Sequence, residues 1–307
     1  MKLAIPDLIS PSYFPAVAAV ELGCFKEEGL DVELELIFPV DKCAAALRDG
    51  GITFFAGSSH STLAAFPEWR GAKLICAQSQ GMYWFLVMRA DLGAQRGDLS
   101  VVKGRSIGAA PWVEMGLRGL LQAGGIDLAR DQVRIAPVPG AIEGVANFGV
   151  MAAQALEAGK IDGFWANGMG TEVAVRGGVG TLVVDARRGD GPKEAFNYTQ
   201  ASIAVTDALI ERSPEVAAAA VRAIRRAHAM LREDTLRATA VGRKLFPPDQ
   251  AALIAELIRR DLPFYDLAIT HEFVTGMNRF ARDLGILKGD PSYESVVATQ
   301  FAPLWRA

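Results

Sequence analysis

The chain has 307 residues, half of them apolar and 22% charged, with a formal charge of −3 at pH 7. That composition predicts a globular protein long enough for two domains of roughly 150 residues each. The missing basic excess argues against nucleic acid as a partner, and charges or turn residues interrupt every hydrophobic segment before the roughly 18 apolar residues that a bilayer span needs.

Lys2 to Ile9 reads as a strand, and Tyr13 to Leu22 as a helix stopped by Gly23. Asp31 to Leu36 alternates strictly, the pattern of a strand with one wet face. A helix near Asp41 to Arg48 precedes the short strand Ile52 to Ala56, then comes Gly57-Ser58-Ser59-His60-Ser61, a helical Thr62 to Trp69 and a buried strand Lys73 to Ala77. The same grammar restarts near Lys103. Strands are predicted at Lys103 to Ala109, Val133 to Val138, Ile161 to Trp165 and Leu182 to Val184, with helices at Met115 to Ala123 and Phe148 to Ala158. Strands alternating with helices predict α/β architecture with parallel sheets. After one more strand, Ala201 to Thr206, the remainder is helical. Ser213-Pro214-Glu215 is a strong helix start, and Arg222, Arg225, Arg226 and Arg232 are expected on a solvated side.

Three cysteines, Cys24, Cys43 and Cys76, form no C-x-x-C pair, and His60, His228 and His271 form no H-E-x-x-H. Neither a disulfide framework nor a metal site is indicated, and no cofactor is expected.

The run from Tyr13-Phe14-Pro15-Ala16 through Glu21-Leu22-Gly23-Cys24-Phe25 to Gly29-Leu30-Asp31-Val32 resembles the opening signature of one family. That family comprises the binding proteins of ABC importers for alkanesulfonates, taurine, nitrate and thiamine pyrimidines, with the related thiamine-pyrimidine synthases. Shorter echoes follow at Ala46 to Gly50, Val102 to Gly108 and Ala155 to Gly163. The resemblance implies a type II periplasmic-binding-protein fold: two α/β lobes joined by two crossover strands, with the ligand in the cleft between. Residues 1–84 and 200–307 would form the first lobe and 85–199 the second.

In open α/β sheets ligands lie beyond the carboxyl ends of strands, where loops feed helix N-termini. Four loops qualify: Ser10 to Phe14, Gly57 to Ser61, Ala110 to Glu114 and Asn167 to Thr171. Their candidate ligand residues are Ser10, Ser12, Tyr13, Ser58, Ser59, Trp112, Glu114 and Asn167, and each serine has an equal alternative as a helix cap. Trp165 is a candidate aromatic wall. Trp84 and Tyr198, near the expected crossovers, read equally as ligand contact or hinge packing. Glu114 either favours a ligand amine, amide or aminopyrimidine or simply meets the helix dipole.

His60 aligns with the histidine consumed in the synthases, but the lysine that binds pyridoxal phosphate there would fall at Ala56, and the expected cysteine cluster would fall near Phe196 to Ile203, which holds none. Without those groups the synthase chemistry loses its apparatus. His60 is left as a neutral ligand contact or a cap, and no catalytic residue is assigned. The expectation is therefore a non-enzymatic, monomeric binding protein that captures a small organic molecule and delivers it to an ABC permease, with a cytoplasmic enzyme on the same fold as the alternative. The opening residues Met1 to Asp7 carry no secretory signal. A periplasmic protein with a trimmed or misplaced start is expected, or a cytoplasmic one if the start is genuine.

Overall fold

The computed structural model describes residues 1–139 and 147–306. Strand β1 (Lys2–Ile5) stops earlier than predicted because Pro6 has no N–H to extend a ladder. Helix α1 (Phe14–Glu21) carries Pro15 in its first turn, and Gly23, at φ 78°, ends the run in a conformation that suits glycine before the short helix α2 (Cys24–Glu27). β2 (Glu33–Leu36), α3 (Val40–Arg48), β3 (Phe54–Ser58) and β4 (Ala72–Ser79) follow. The helix predicted over Thr62 to Trp69 is replaced by two tight 3-10 turns, Ser59–Ala64 and Pro67–Trp69. Pro67 disfavours helical backbone at Phe66, and Glu68 and Trp69 are left-handed at φ 57° and 58°. The Glu68 carboxylate accepts from the Lys288 and Gly289 N–H groups at 2.9 and 2.8 Å, which anchors this turn.

β5 (Phe85–Arg89) is a strand absent from the sequence reading; all of it but Arg89 is buried, so it shows no alternation. β6 (Ser106–Ala109), α4 (Glu114–Ala123), β7 (Arg134–Ala136), α5 (Phe148–Glu157), β8 (Gly163–Ala166), α6 (Gly168–Arg176) and β9 (Gly180–Asp185) complete a sheet of order β7-β6-β8-β5-β9. β10 (Ala201–Thr206) lies in the other sheet, of order β2-β1-β3-β10-β4.

Both sheets are mixed, where parallel ones were predicted. β1 runs parallel to β2 and β3, and β6 parallel to β7 and β8, but β10 is antiparallel to β3 and β4, and β5 to β8 and β9. The register gives the reason. Phe85 pairs with Ala166 at the carboxyl end of β8, and Ala201 with Ser58 at the carboxyl end of β3. The chain enters each sheet at the edge where the parallel strands finish, so the incoming strand must run back.

Helices α7 (Asp207–Arg212), α8 (Pro214–Glu233), α9 (Leu236–Leu245), α10 (Pro248–Asp261), α11 (His271–Asp283) and α12 (Tyr293–Val296) fill the C-terminal part. Ser213 precedes α8 as predicted but makes no side-chain cap bond; Pro214 and Glu215 mark the start instead. The arginines expected in solvent are ties. Arg222 pairs with Glu28 at 2.6 Å and Arg226 with Glu27 at 2.8 Å, while Arg225 donates to the carbonyls of Leu304 and Arg306 and Arg232 to that of Tyr265. Two compact units result, Met1–Gln80 with Thr199–Ala307, and Gly81–Tyr198. Among the described residues no helix is long and apolar enough to cross a membrane.

Candidate functional site

In the first unit, β1, β3 and β10 are neighbours, so the loops beyond the carboxyl ends of β1 and β3 and the head of β10 share one edge of the sheet. Ser10, Ser12, Tyr13, Ser58, Ser59 and His60 are all buried there. A turn bond from the Tyr13 N–H to the Ser10 carbonyl shapes the first loop. Ser58 Oγ and Ser61 Oγ lie 2.5 Å apart, so one hydroxyl donates to the other and one O–H of the pair is left to donate elsewhere. Ser59 is more committed: its Oγ donates to the Gln200 carbonyl at 2.9 Å and lies 2.7 Å from Ser202 Oγ. Toward a ligand it can act only as an acceptor. His60 packs edge-on to Phe280, with ring centroids 5.7 Å apart.

Ser59→Ala is expected to cost about 1–2 kcal/mol, because Ser202 loses its hydroxyl partner in a buried setting. A denaturant midpoint equal to that of the parent protein would remove Ser59 from this structural role.

Three further polar residues at this edge escaped the sequence reading. Gln78 bridges two elements, its Oε1 accepting the Ala16 N–H and its Nε2 donating to the Ser202 carbonyl, both at 3.2 Å. Thr62 and Gln200 are both fully buried, and the Thr62 hydroxyl and both polar atoms of the Gln200 side chain have no hydrogen-bond partner among the described residues; the buried Ser10 hydroxyl shares that condition. The available signal was a glutamine set within or just before an apolar strand run, in Ala77-Gln78-Ser79 and Thr199-Gln200-Ala201. A polar side chain there must find a partner or keep one waiting.

In the second unit, Trp112, Glu114, Trp165 and Asn167 belong to the carboxyl ends of β6 and β8, and Trp84 precedes β5 at the same edge. Trp165 is fully buried, its indole N–H donates to the Val113 carbonyl at 3.1 Å, and its ring lies 6.4 Å from that of Trp84. Trp84 in turn lies 4.9 Å from Tyr83. Helix α4 approaches this group through Gly116, where a Cβ would come within 2.9 Å of Met82 Sδ and 3.3 Å of the Trp84 ring. Asn167 caps α6, its Oδ1 accepting from Met169 and Gly170 at 2.9 and 3.1 Å. Glu114 is the first residue of α4, where the helix dipole favours a carboxylate. Trp112 is half-buried with φ of 67°, a strained backbone for a bulky residue. Tyr198 ends this unit, with its N–H on the Ala195 carbonyl, and the nearby Met82 N–H donates to the Phe196 carbonyl.

Among the described residues no group of three or more His, Cys, Asp or Glu is placed to hold a metal ion. The three cysteines lie in α2, α3 and β4, all buried. Burial pushes the Cys24 thiol up to about 11 and raises those of Cys43 and Cys76 further.

The family model described as NMT1/THI5 like matches residues 10–236. The chain belongs to the NMT1/THI5-like family. The match runs from the first serine loop through both sheets into α9, so it takes in every candidate residue above. Among solved structures, a protein from Bordetella bronchiseptica RB50 is 20% identical, with 98% of this chain and 97% of that chain covered and a TM-score of 0.74. The alkanesulfonate-binding protein SsuA from Xanthomonas axonopodis pv. citri, bound to MOPS, is 12% identical over 100% and 98% of the two chains, at a TM-score of 0.71. A mutant of DSZB in complex with biphenyl-2-sulfinic acid is 16% identical over 98% and 97%, at 0.65. A search of curated proteins finds no match. At these identities the likeness is one of fold, and this NMT1/THI5-like chain has the two-sheet α/β fold of periplasmic binding proteins.

Proposed function

We propose that this protein is the solute-binding component of an ABC-type importer, working in the periplasm as a monomer that captures a small organic molecule and delivers it to a membrane permease. Candidate ligand residues lie in the loops at the carboxyl edge of each sheet. One observation carries the reading. The buried hydroxyls of Ser10 and Thr62, the spare O–H of the Ser58–Ser61 pair and the Gln200 side chain are gathered at one edge, with no partner for these polar groups among the described residues. Each such group costs about 1–3 kcal/mol unless something polar meets it. Hydroxyl and amide donors suit the oxygens of a sulfonate, sulfinate or carboxylate, and the aromatic group around Trp84, Trp112 and Trp165 suits an organic body or a heterocycle. Strained backbone at Trp112 supports a functional role for that loop. Glu114 would then take a ligand amine or amide; the remaining candidate contacts are Ser12, Tyr13 and His60 on the first unit and Asn167 and Tyr198 on the second.

The likeness to DSZB, whose structures are described as those of a desulfurization enzyme, favours a second reading, an enzyme on this fold. The thiols speak against one version of it, because all three are buried away from the loops and held protonated at neutral pH.

Native mass spectrometry after incubation with MOPS and, separately, with biphenyl-2-sulfinate separates the readings. Binding with the compound recovered unchanged supports the importer; steady release of product sinks it. With a bound ligand in hand, Ser58→Ala and Glu114→Gln are each expected to weaken affinity at least tenfold by calorimetry, and an unchanged affinity would remove that residue from the site.

A further inference from the structure

We infer that Tyr265 is a positioning residue that sets the direction of the Ser12 backbone N–H in the loop after β1. Its importance for ligand binding rests on the reading above; the positioning itself does not. Tyr265 is 1% exposed and sits in the segment between α10 and α11, far in sequence from that loop. Its hydroxyl donates to the Pro11 carbonyl at 2.5 Å. A peptide group is planar and trans, so a fixed Pro11 carbonyl fixes the Ser12 N–H pointing the opposite way. Pro11 has no N–H of its own with which to hold the turn.

Tyr265 can act as a reference point because its own place is over-determined. Its ring stacks on buried His228 with centroids 5.1 Å apart and planes at 20°. Its carbonyl accepts from the Arg232 guanidinium on α8. The segment around it is laced to the end of β4: Ala77 N–H donates to the Leu267 carbonyl at 2.9 Å and Gln80 N–H to that of Phe264 at 2.8 Å. The Gln80 side chain adds bonds to the carbonyls of Asp266 and Ala268 at 3.0 and 2.8 Å. Gln80 is the last residue before the chain leaves this unit. The same strap therefore holds the serine loop at one end and the departing chain at the other.

Tyr265→Phe keeps the ring and deletes only the hydroxyl. A matched control is Tyr293→Phe, which removes a hydroxyl that donates at 2.5 Å to the Ile269 carbonyl, near the strap and away from the loop. Amide hydrogen exchange on the ligand-free protein is expected to accelerate at least tenfold at residues 12–14 and 16 in Tyr265→Phe and to stay at the parent rate in Tyr293→Phe. Parent-like exchange in Tyr265→Phe, or equal acceleration in both variants, would overturn the positioning role. Affinity for MOPS, measured in parallel, is expected to fall at least fivefold in Tyr265→Phe only. Accelerated exchange with binding untouched by both Tyr265→Phe and Ser58→Ala would leave the positioning intact and overturn the ligand reading of this edge.

Discussion

Gly170→Ala is expected to lower the stability of the Gly81–Tyr198 unit by about 3 kcal/mol, the upper part of the range for overpacking. A Cβ on Gly170 would sit 2.3 Å from the Gly149 carbonyl oxygen and 2.6 Å from its Cα, so the clash is with backbone and no side chain can swing aside. The converse contact is as close, since a Cβ on Gly149 would meet Asn167 Oδ1 at 2.8 Å, the atom that caps α6. The first turns of α5 and α6 therefore meet through two glycines, and separating them also strains the cap, itself worth about 1 kcal/mol. Alanine is a better helix former than glycine by about 1 kcal/mol, so the two effects have opposite signs. A calorimetric transition at or above the parent temperature would mean that the helices do not approach so closely.

The second large effect is acid sensitivity from His228. Burial, with Arg232 nearby, pushes its imidazole down to about 3 from an ordinary 6.5. The folded form thus binds fewer protons than the unfolded chain between those two values. Stability from this group is complete above about pH 6.5 and declines as pH falls below it, by up to about 1.4 kcal/mol per unit. Between pH 7.5 and pH 4.5 the loss amounts to about 2–3 kcal/mol. His228→Phe retains a ring to stack on Tyr265 and cannot take a proton, so its unfolding free energy should fall less over the same interval. Carboxylates such as Asp131, which Arg130 holds well below the usual range, titrate alike in both proteins and cancel in the difference. Identical pH slopes for parent and variant would show that His228 is not buried in neutral form.

What could be read from the chain was local. Ala201 to Thr206 was placed within its observed bounds because a strand shows itself in six consecutive residues. α8 is legible from its Ser213-Pro214-Glu215 start. Pairing direction was not legible, since it depends on where the chain enters a sheet, and Phe85 and Ala201 enter at the carboxyl edge through contacts with residues over eighty positions away. The helix expected after Ser61 failed for a similar reason, as Glu68 is held by the backbone of residues 288 and 289. In the candidate site three of the four loops stand out as breaks containing Ser or Gly after strands, and the fourth, Ala110 to Glu114, is marked by Pro111. The division of labour within them does not stand out: Ser59 meets a partner 143 positions on, Asn167 serves as a cap, and the positive φ of Trp112 leaves no mark in composition. The ties of Arg222 and Arg226 on α8 are not legible because their acidic partners lie some 200 positions earlier.

The place of β10 between β3 and β4 also dictates an order of assembly. As the chain is synthesised from its N-terminus, β1 to β4 emerge with a gap between β3 and the edge strand β4 that only residues 201–206 can fill. The Gly81–Tyr198 segment, by contrast, holds all the strands of its sheet in one continuous stretch. Domains fold as units once their residues are available, and contacts across long separations form late. The continuous unit is thus expected to fold first on the ribosome, while the unit bearing the serine-rich edge waits. Until Ala201 arrives, Ser58 and Ser59 have neither the neighbouring strand nor the Gln200 carbonyl on which that edge is built.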